Sequence, residues 1–170
     1  MTIKKRHPKV IERFAYHEAG HSIVAHHFGF EFAHVTILPN EEKGSEGETL
    51  LVHRAQSLHE ALLTSLGVPN RTRLEQMLVV LMAGIESVKL VRKRTNLNHY
   101  LEATSDIEKA HGLAKQLGHT GDVDRYFEVA KAAVEASNIL KSKRAALDAI
   151  ADALIKHTTL SASEVVGLIE

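Results

Sequence analysis

Two imidazoles and a carboxylate stand in H-E-x-x-H order at His17-Glu18-Ala19-Gly20-His21, a pattern suited to holding a divalent metal beside a base. Residues four apart on an α-helix lie one turn up on nearly the same face, so His17 and His21 can reach one ion. Glu18 follows the first histidine by one position, about 100° around the helix, which sets it beside that ion and not on it. Zinc held by three protein ligands keeps a place for water, lowers its pKa to about 7 and polarises a peptide carbonyl. Glu18 is then the general base, passing a proton to the leaving amine. The competing reading is a pair of half-exposed structural histidines. In a chain with 12 histidines the pattern arises by accident about one time in ten, so its setting must decide.

A third ligand is needed, and the absence of cysteine restricts it to a distant His, Asp or Glu. Spacing does not select it. Asp106, Glu86, His99, Glu102 and His111 all qualify, and Asp106 has a second explanation as an acid favoured by the dipole in the first turn of a helix. His26 and His27 lie five and six residues beyond His21, project away from the metal face, and read as surface residues.

The element that must carry the motif is a helix starting near Pro8 and ending at Gly29, a natural left-handed stop. Phe14, His17, His21, Val24, Ala25 and Phe28 recur along it at steps of three and four, which places the motif on an inward stripe. Ala33 to Leu38 then alternates, with Val35 and Ile37 against His34 and Thr36, and predicts a strand. An acidic loop over Asn40 to Glu48 and a second strand over Thr49 to Arg54 complete a small β-ribbon. Ser57 to Leu66 has a short helical pattern closed by Gly67. Asn70 caps a longer helix whose apolar run extends from Leu74 to about Val91, the core partner of the first. After a loop over Thr95 to Thr104, Ser105 with Glu108 forms a capping-box signature for a helix ending at Gly118. Asp122 to about His157 is helical with an interruption between Ser137 and Lys143, and a last helix begins at Ser161 with Glu164 in a second capping box. The fold class is mostly α, with one small β-ribbon, and residues 1–170 are expected to form a single domain.

Bulk composition narrows the partners. Lysine plus arginine equals aspartate plus glutamate at 21 each, so no overall field favours nucleic acid or an anionic membrane. Hydrophobic residues at 44% and charged residues at 25% match an ordinary globular protein, and no segment approaches the length of a membrane span. Lys4, Lys5 and Arg6 are followed by no apolar stretch, so no secretory signal is read, and the cytoplasm is the default location.

The segment Ala15-Tyr16-His17-Glu18-Ala19-Gly20-His21-Ser22-Ile23-Val24-Ala25 resembles the active-site helix in the peptidase domain of the FtsH family, the membrane-anchored, ATP-dependent zinc proteases. Further likenesses follow in order. His34-Val35-Thr36-Ile37-Leu38-Pro39 resembles that family's strand after the helix, and Ala103-Thr104-Ser105-Asp106-Ile107-Glu108-Lys109-Ala110 resembles its third-ligand segment. Leu147 to Leu154 and Thr159-Leu160-Ser161 resemble its closing helices. The resemblance implies zinc held by His17, His21 and Asp106, Glu18 as base, a helical peptidase fold, and unfolded polypeptides as substrates.

Three departures accompany it. The chain has no G-x-x-x-x-G-K-[ST] phosphate loop, so it is expected to work without ATP on short or flexible peptides unless a separate ATPase partner feeds it. Ala83-Gly84-Ile85-Glu86-Ser87-Val88-Lys89 puts Val88 and Lys89 where the family has paired glutamates, which leaves Glu86 to take over any support of the ligands. The acidic stretch Asn40 to Glu48 differs from the family's substrate-side loop, so substrate preference does not carry over. The function expected is that of a stand-alone zinc endopeptidase, with a homo-oligomer implied because the family's peptidase domains form rings. The alternative is a non-catalytic, metal-stabilised module for peptide binding or assembly; a third reading is a sensor that cleaves one dedicated partner.

Overall fold

The computed structural model describes residues 7–38, 48–51, 71–92 and 104–170. Helix α1 (Pro8–His27) opens with proline at its first position, where a missing N–H costs nothing, and His7 Nδ1 accepts from the Lys9 amide at 3.3 Å. It stops as the sequence predicts. Gly29 takes φ +66°, and the Arg73 guanidinium donates to the Phe28 carbonyl at 2.7 Å while stacking 3.9 Å from the Phe30 ring centroid. A cation thus meets the carbonyl end of α1.

Strands β1 (Phe32–Thr36) and β2 (Glu48–Leu51) pair antiparallel, with Val35 opposite Thr49. Val35 and Ile37 are buried and His34 and Thr36 half-buried, as the alternation predicts. Helix α2 (Arg71–Val91) packs along α1. It is followed by α3 (Thr104–Gln116), α4 (Asp122–Ser142), α5 (Arg144–His157), a strand β3 (Thr159–Ser161) and α6 (Ala162–Ile169). The fold is therefore mostly α.

The two-stranded ribbon grows to three strands in the order β2-β1-β3. Thr158 turns the chain at φ 64° after α5, and Leu160 then lies opposite Val35, with the Thr36 and Thr159 hydroxyls 2.7 Å apart. Three residues carry no periodicity that a sequence can show; β3 exists because β1 offers it an edge. Ser105 differs as well. The helix begins at Thr104, so Ser105 sits inside the first turn and not at the cap position. Ser161 does cap α6, in a complete box with Glu164, and the helical break after Asp122 falls at Lys143. The predicted loop over Asn40 to Gly47, strand residues 52–54, helix over Ser57 to Leu66, Asn70 cap and loop 95–103 lie outside the described residues.

The core forms where α1 and α2 meet α4 and α5: Ile23 and Val24, Ile85 and Val88, Leu140, and Leu147, Ile150 and Leu154 are all essentially inaccessible. Tyr16 ties α1 to α5 by donating to Asp148 at 3.0 Å, and Asp148 also receives Arg144 at 2.9 Å. Among the described residues no helix is long and apolar enough to cross a membrane.

Candidate metal centre

The two glycines at the α1–α2 crossing explain why the motif comes so close to α2. A β-carbon at Gly20 would sit 2.6 Å from the Ala83 carbonyl, and one at Gly84 would sit 2.5 Å from both His17 Cε1 and His21 Nε2. Neither contact is tolerable. Only hydrogen fits, so the α2 backbone forms one wall of the site. Ser87 strengthens the crossing by reaching the Tyr16 carbonyl at 2.7 Å.

Three ligating atoms converge there. His17 Nε2 and His21 Nε2 are 3.0 Å apart, and Asp106 Oδ2 lies 3.1 Å from the first and 3.2 Å from the second. The rings stand edge to face with an interplanar angle of 83°. Among the described residues, His17, His21 and Asp106 are the group of His and acid side chains that could hold a metal ion. His21 Nδ1 donates to the Val80 carbonyl at 2.8 Å, which fixes its ring and turns Nε2 toward the cluster. With no ion present, the groups polarise one another. Burial disfavours charge on Asp106, but the flanking His21 and His17 overcome it and hold the carboxyl well below the usual range. Burial likewise works against charge on His21, and the Asp106 carboxylate more than offsets it, raising the imidazole to about 9.

Glu18 is 5% exposed and close enough to His17, His21 and Asp106 to feel their charges. Burial pushes its carboxyl up, opposed by the two histidines and by a hydrogen bond from Thr49. Thr49 Oγ1 lies 3.0 Å from Glu18 Oε2 and 3.1 Å from the Glu18 main-chain carbonyl. The register explains the contact: residues directly opposite in an antiparallel pair share a face, Thr49 is opposite buried Val35, and that face lies on α1.

The other candidates lie elsewhere. Glu86 is buried but pairs with Lys89 at 2.6 Å, and Val88 is fully buried in the core. His111 packs edge to face on Tyr126. His27 is exposed and His26 half-buried, neither in the cluster; His99 and Glu102 lie outside the described residues. Thr49 and the Val80 carbonyl are the additions that sequence reading missed. A carbonyl has no sequence signature, and Thr49 looks like any strand threonine until its register is known. No protein-family model matches the sequence, and no curated protein matches it.

Proposed function

We propose that this chain is a zinc-dependent metallopeptidase of the FtsH type, with His17, His21 and Asp106 as ligands and Glu18 as general base. The observation that carries this reading is the triangle of ligating atoms with edges of 3.0, 3.1 and 3.2 Å. Ligands bound to tetrahedral zinc at about 2.0–2.1 Å stand about 3.3 Å apart, so a shift of a few tenths of an ångström accommodates the ion. The donor set of two imidazoles and one carboxylate suits zinc and leaves one position open.

A bound zinc ion supplies a Lewis acid that polarises a peptide carbonyl and acidifies water. The chain's own groups do the rest. Val80 holds His21 in the tautomer that presents Nε2. Thr49 anchors Glu18 Oε2, so that Oε1 is the atom to take a proton from the attacking water and return it to the leaving amine nitrogen. The raised affinity of buried Glu18 for a proton suits a group that must hold one between the two transfers. Substrates are unfolded or flexible polypeptides, the class that the likeness to the FtsH peptidase domain implies.

The test is cleavage of a fluorescently labelled unfolded polypeptide by zinc-loaded protein, alongside Glu18→Gln. Loss of cleavage with zinc retained supports the reading. Zinc binding with no cleavage by either protein would instead favour a metal-stabilised binding or assembly module.

A further inference from the structure

We propose that the outward face of α4 is a homodimer interface, in which α4 packs antiparallel against α4 of a second copy about a twofold axis near residues 130–134.

Helix α4 is apolar on two sides. Its core side carries Val129, Ala132, Ala136, Ile139 and Leu140. Val123, Tyr126, Phe127 and Val134 lie on the other side, exposed by 81, 69, 65 and 62%, and they are the four most exposed large hydrophobics among the described residues. Positions 123, 127, 130, 134, 137 and 141 follow steps of four and three, the spacing of a seam between helices. A helix that is apolar on opposite faces has neighbours on both.

The four side chains present on the order of 400 Å² per copy, taking aromatic residues at 150–250 Å² each before discounting for their present cover. That size marks an interaction surface on a soluble protein. Two copies bury about 800 Å² from these groups alone, and the adjoining groove brings the total near the 1,000 Å² that a specific interface requires. The groove, of about 460 Å³, runs between α2 and α4, with Met82, Tyr126 and Val129 in its lining and Val134 and Lys141 shared with the seam.

Charge identifies the occupant as a second copy and sets its direction. Asp122 and Asp124 flank Val123 at the start of the seam and Lys141 stands at its end; between them Arg125 pairs with Asp122 and Lys131 with Glu128 inside the chain, and Glu135 lies in the second half. A parallel pair would place acid against acid. The antiparallel pair sets Lys141 of each copy against Val123 of the other, between Asp122 and Asp124, and opposes the two helix dipoles. One patch thus serves both partners, as a twofold interface demands.

The experiment is sedimentation equilibrium of the full chain, followed by charge exchange. Wild type should dimerise with a dissociation constant of order 10 µM, at the weak end for specific interfaces. Phe127→Glu should weaken association at least about thirtyfold, with a melting temperature equal to that of wild type when both are compared well below the dissociation constant, where neither is dimeric. The double variant Asp122→Lys/Asp124→Lys and the single variant Lys141→Glu should each be monomeric alone and form a heterodimer when mixed, since every end contact is then of opposite sign. The chain has no cysteine, so single cysteines report direction: Ala130→Cys should cross-link to its counterpart, whereas Val123→Cys, about 27 Å from its own, should not. A wild type that stays monomeric at several hundred micromolar overturns the proposal. So does association indifferent to Phe127→Glu, cross-linking through position 123, or a fall in melting temperature on Phe127→Glu at concentrations where both proteins are monomeric, which would mean that the chain itself covers this face.

Discussion

Helices α1 and α4 are nearly the same length and break the inside-outside rule in opposite directions. Of the six buried polar or charged residues among those described, α1 holds Arg13, Glu18, His21 and Ser22; α4 instead exposes Val123, Tyr126, Phe127 and Val134. Each violation costs free energy, and each therefore calls for an explanation. On α1 the explanation for the motif is internal: Glu18 meets Thr49, His21 meets Val80 and Asp106, and Ser22 donates to the Ala19 carbonyl, while the Arg13 guanidinium lies over the Phe14 ring. On α4 His111 packs against Tyr126, and Val123, Phe127 and Val134 stay more than 60% exposed, which points to a partner outside the chain. In the two proposals made above, buried polarity would serve chemistry and exposed apolarity association.

The sharpest contrast is at Glu18. Glu18→Gln should lower cleavage by about a thousandfold while zinc content is unchanged, since general bases contribute factors of 10²–10⁴; turnover and elemental analysis on one sample check it. Next comes pH. The metal-free His21 holds its proton up to about pH 9, and zinc accepts only the neutral ring. Zinc affinity should therefore rise about tenfold per pH unit from 7 to 9 and level off above, with a proton released on binding; titration calorimetry in buffers of different ionisation heat measures both. In the metal-free protein the sign reverses. A raised imidazole stabilises the fold fully below pH 6.5 and loses that contribution as pH climbs through 9.

Gly84→Ala comes third. It should cost about 2 kcal/mol in denaturant unfolding, because overpacking against two imidazoles outweighs the better helix propensity of alanine. Gly112→Ala on α3, where an added methyl meets nothing within 4 Å, should instead stabilise by up to about 1 kcal/mol. Thr49→Val should reduce turnover about tenfold by freeing the Glu18 carboxylate, and Thr49→Ser should restore it. The smallest effect belongs to α4. Val134→Ser should change monomer stability by less than about 0.5 kcal/mol, since no packed neighbour is lost. A larger loss there would erase the distinction between the two helices.

The parts of this architecture that rest on local chemistry were legible beforehand. Pro8, Gly29 and the apolar stripe define α1; Ser161 with Glu164 starts α6; alternation marks β1. What depends on distant pairing was not. Strand β3 has no pattern of its own, the contact between Thr49 and Glu18 needs the β1–β2 register, and residue counting could not choose Asp106 over Glu86 or His111. Choosing among those three requires knowing that α2 turns Glu86 toward Lys89 and that α3 turns His111 toward Tyr126. The likeness to a family's third-ligand segment pointed at Asp106, and the packing brings it beside the histidines.

Asp106 meets His21 and His17 across 85 and 89 positions of chain. Measured as loop closure, a cross-link of that span removes about as much disorder from the unfolded ensemble as a long-range disulfide, about 4–5 kcal/mol for a loop near 100 residues. Since the sequence has no cysteine, an ion at this point is the tie that could do the same work. Withdrawing it with a chelator should lower the unfolding midpoint of the uncut chain before any substrate is added, so that a thermal melt reads the occupancy of the centre.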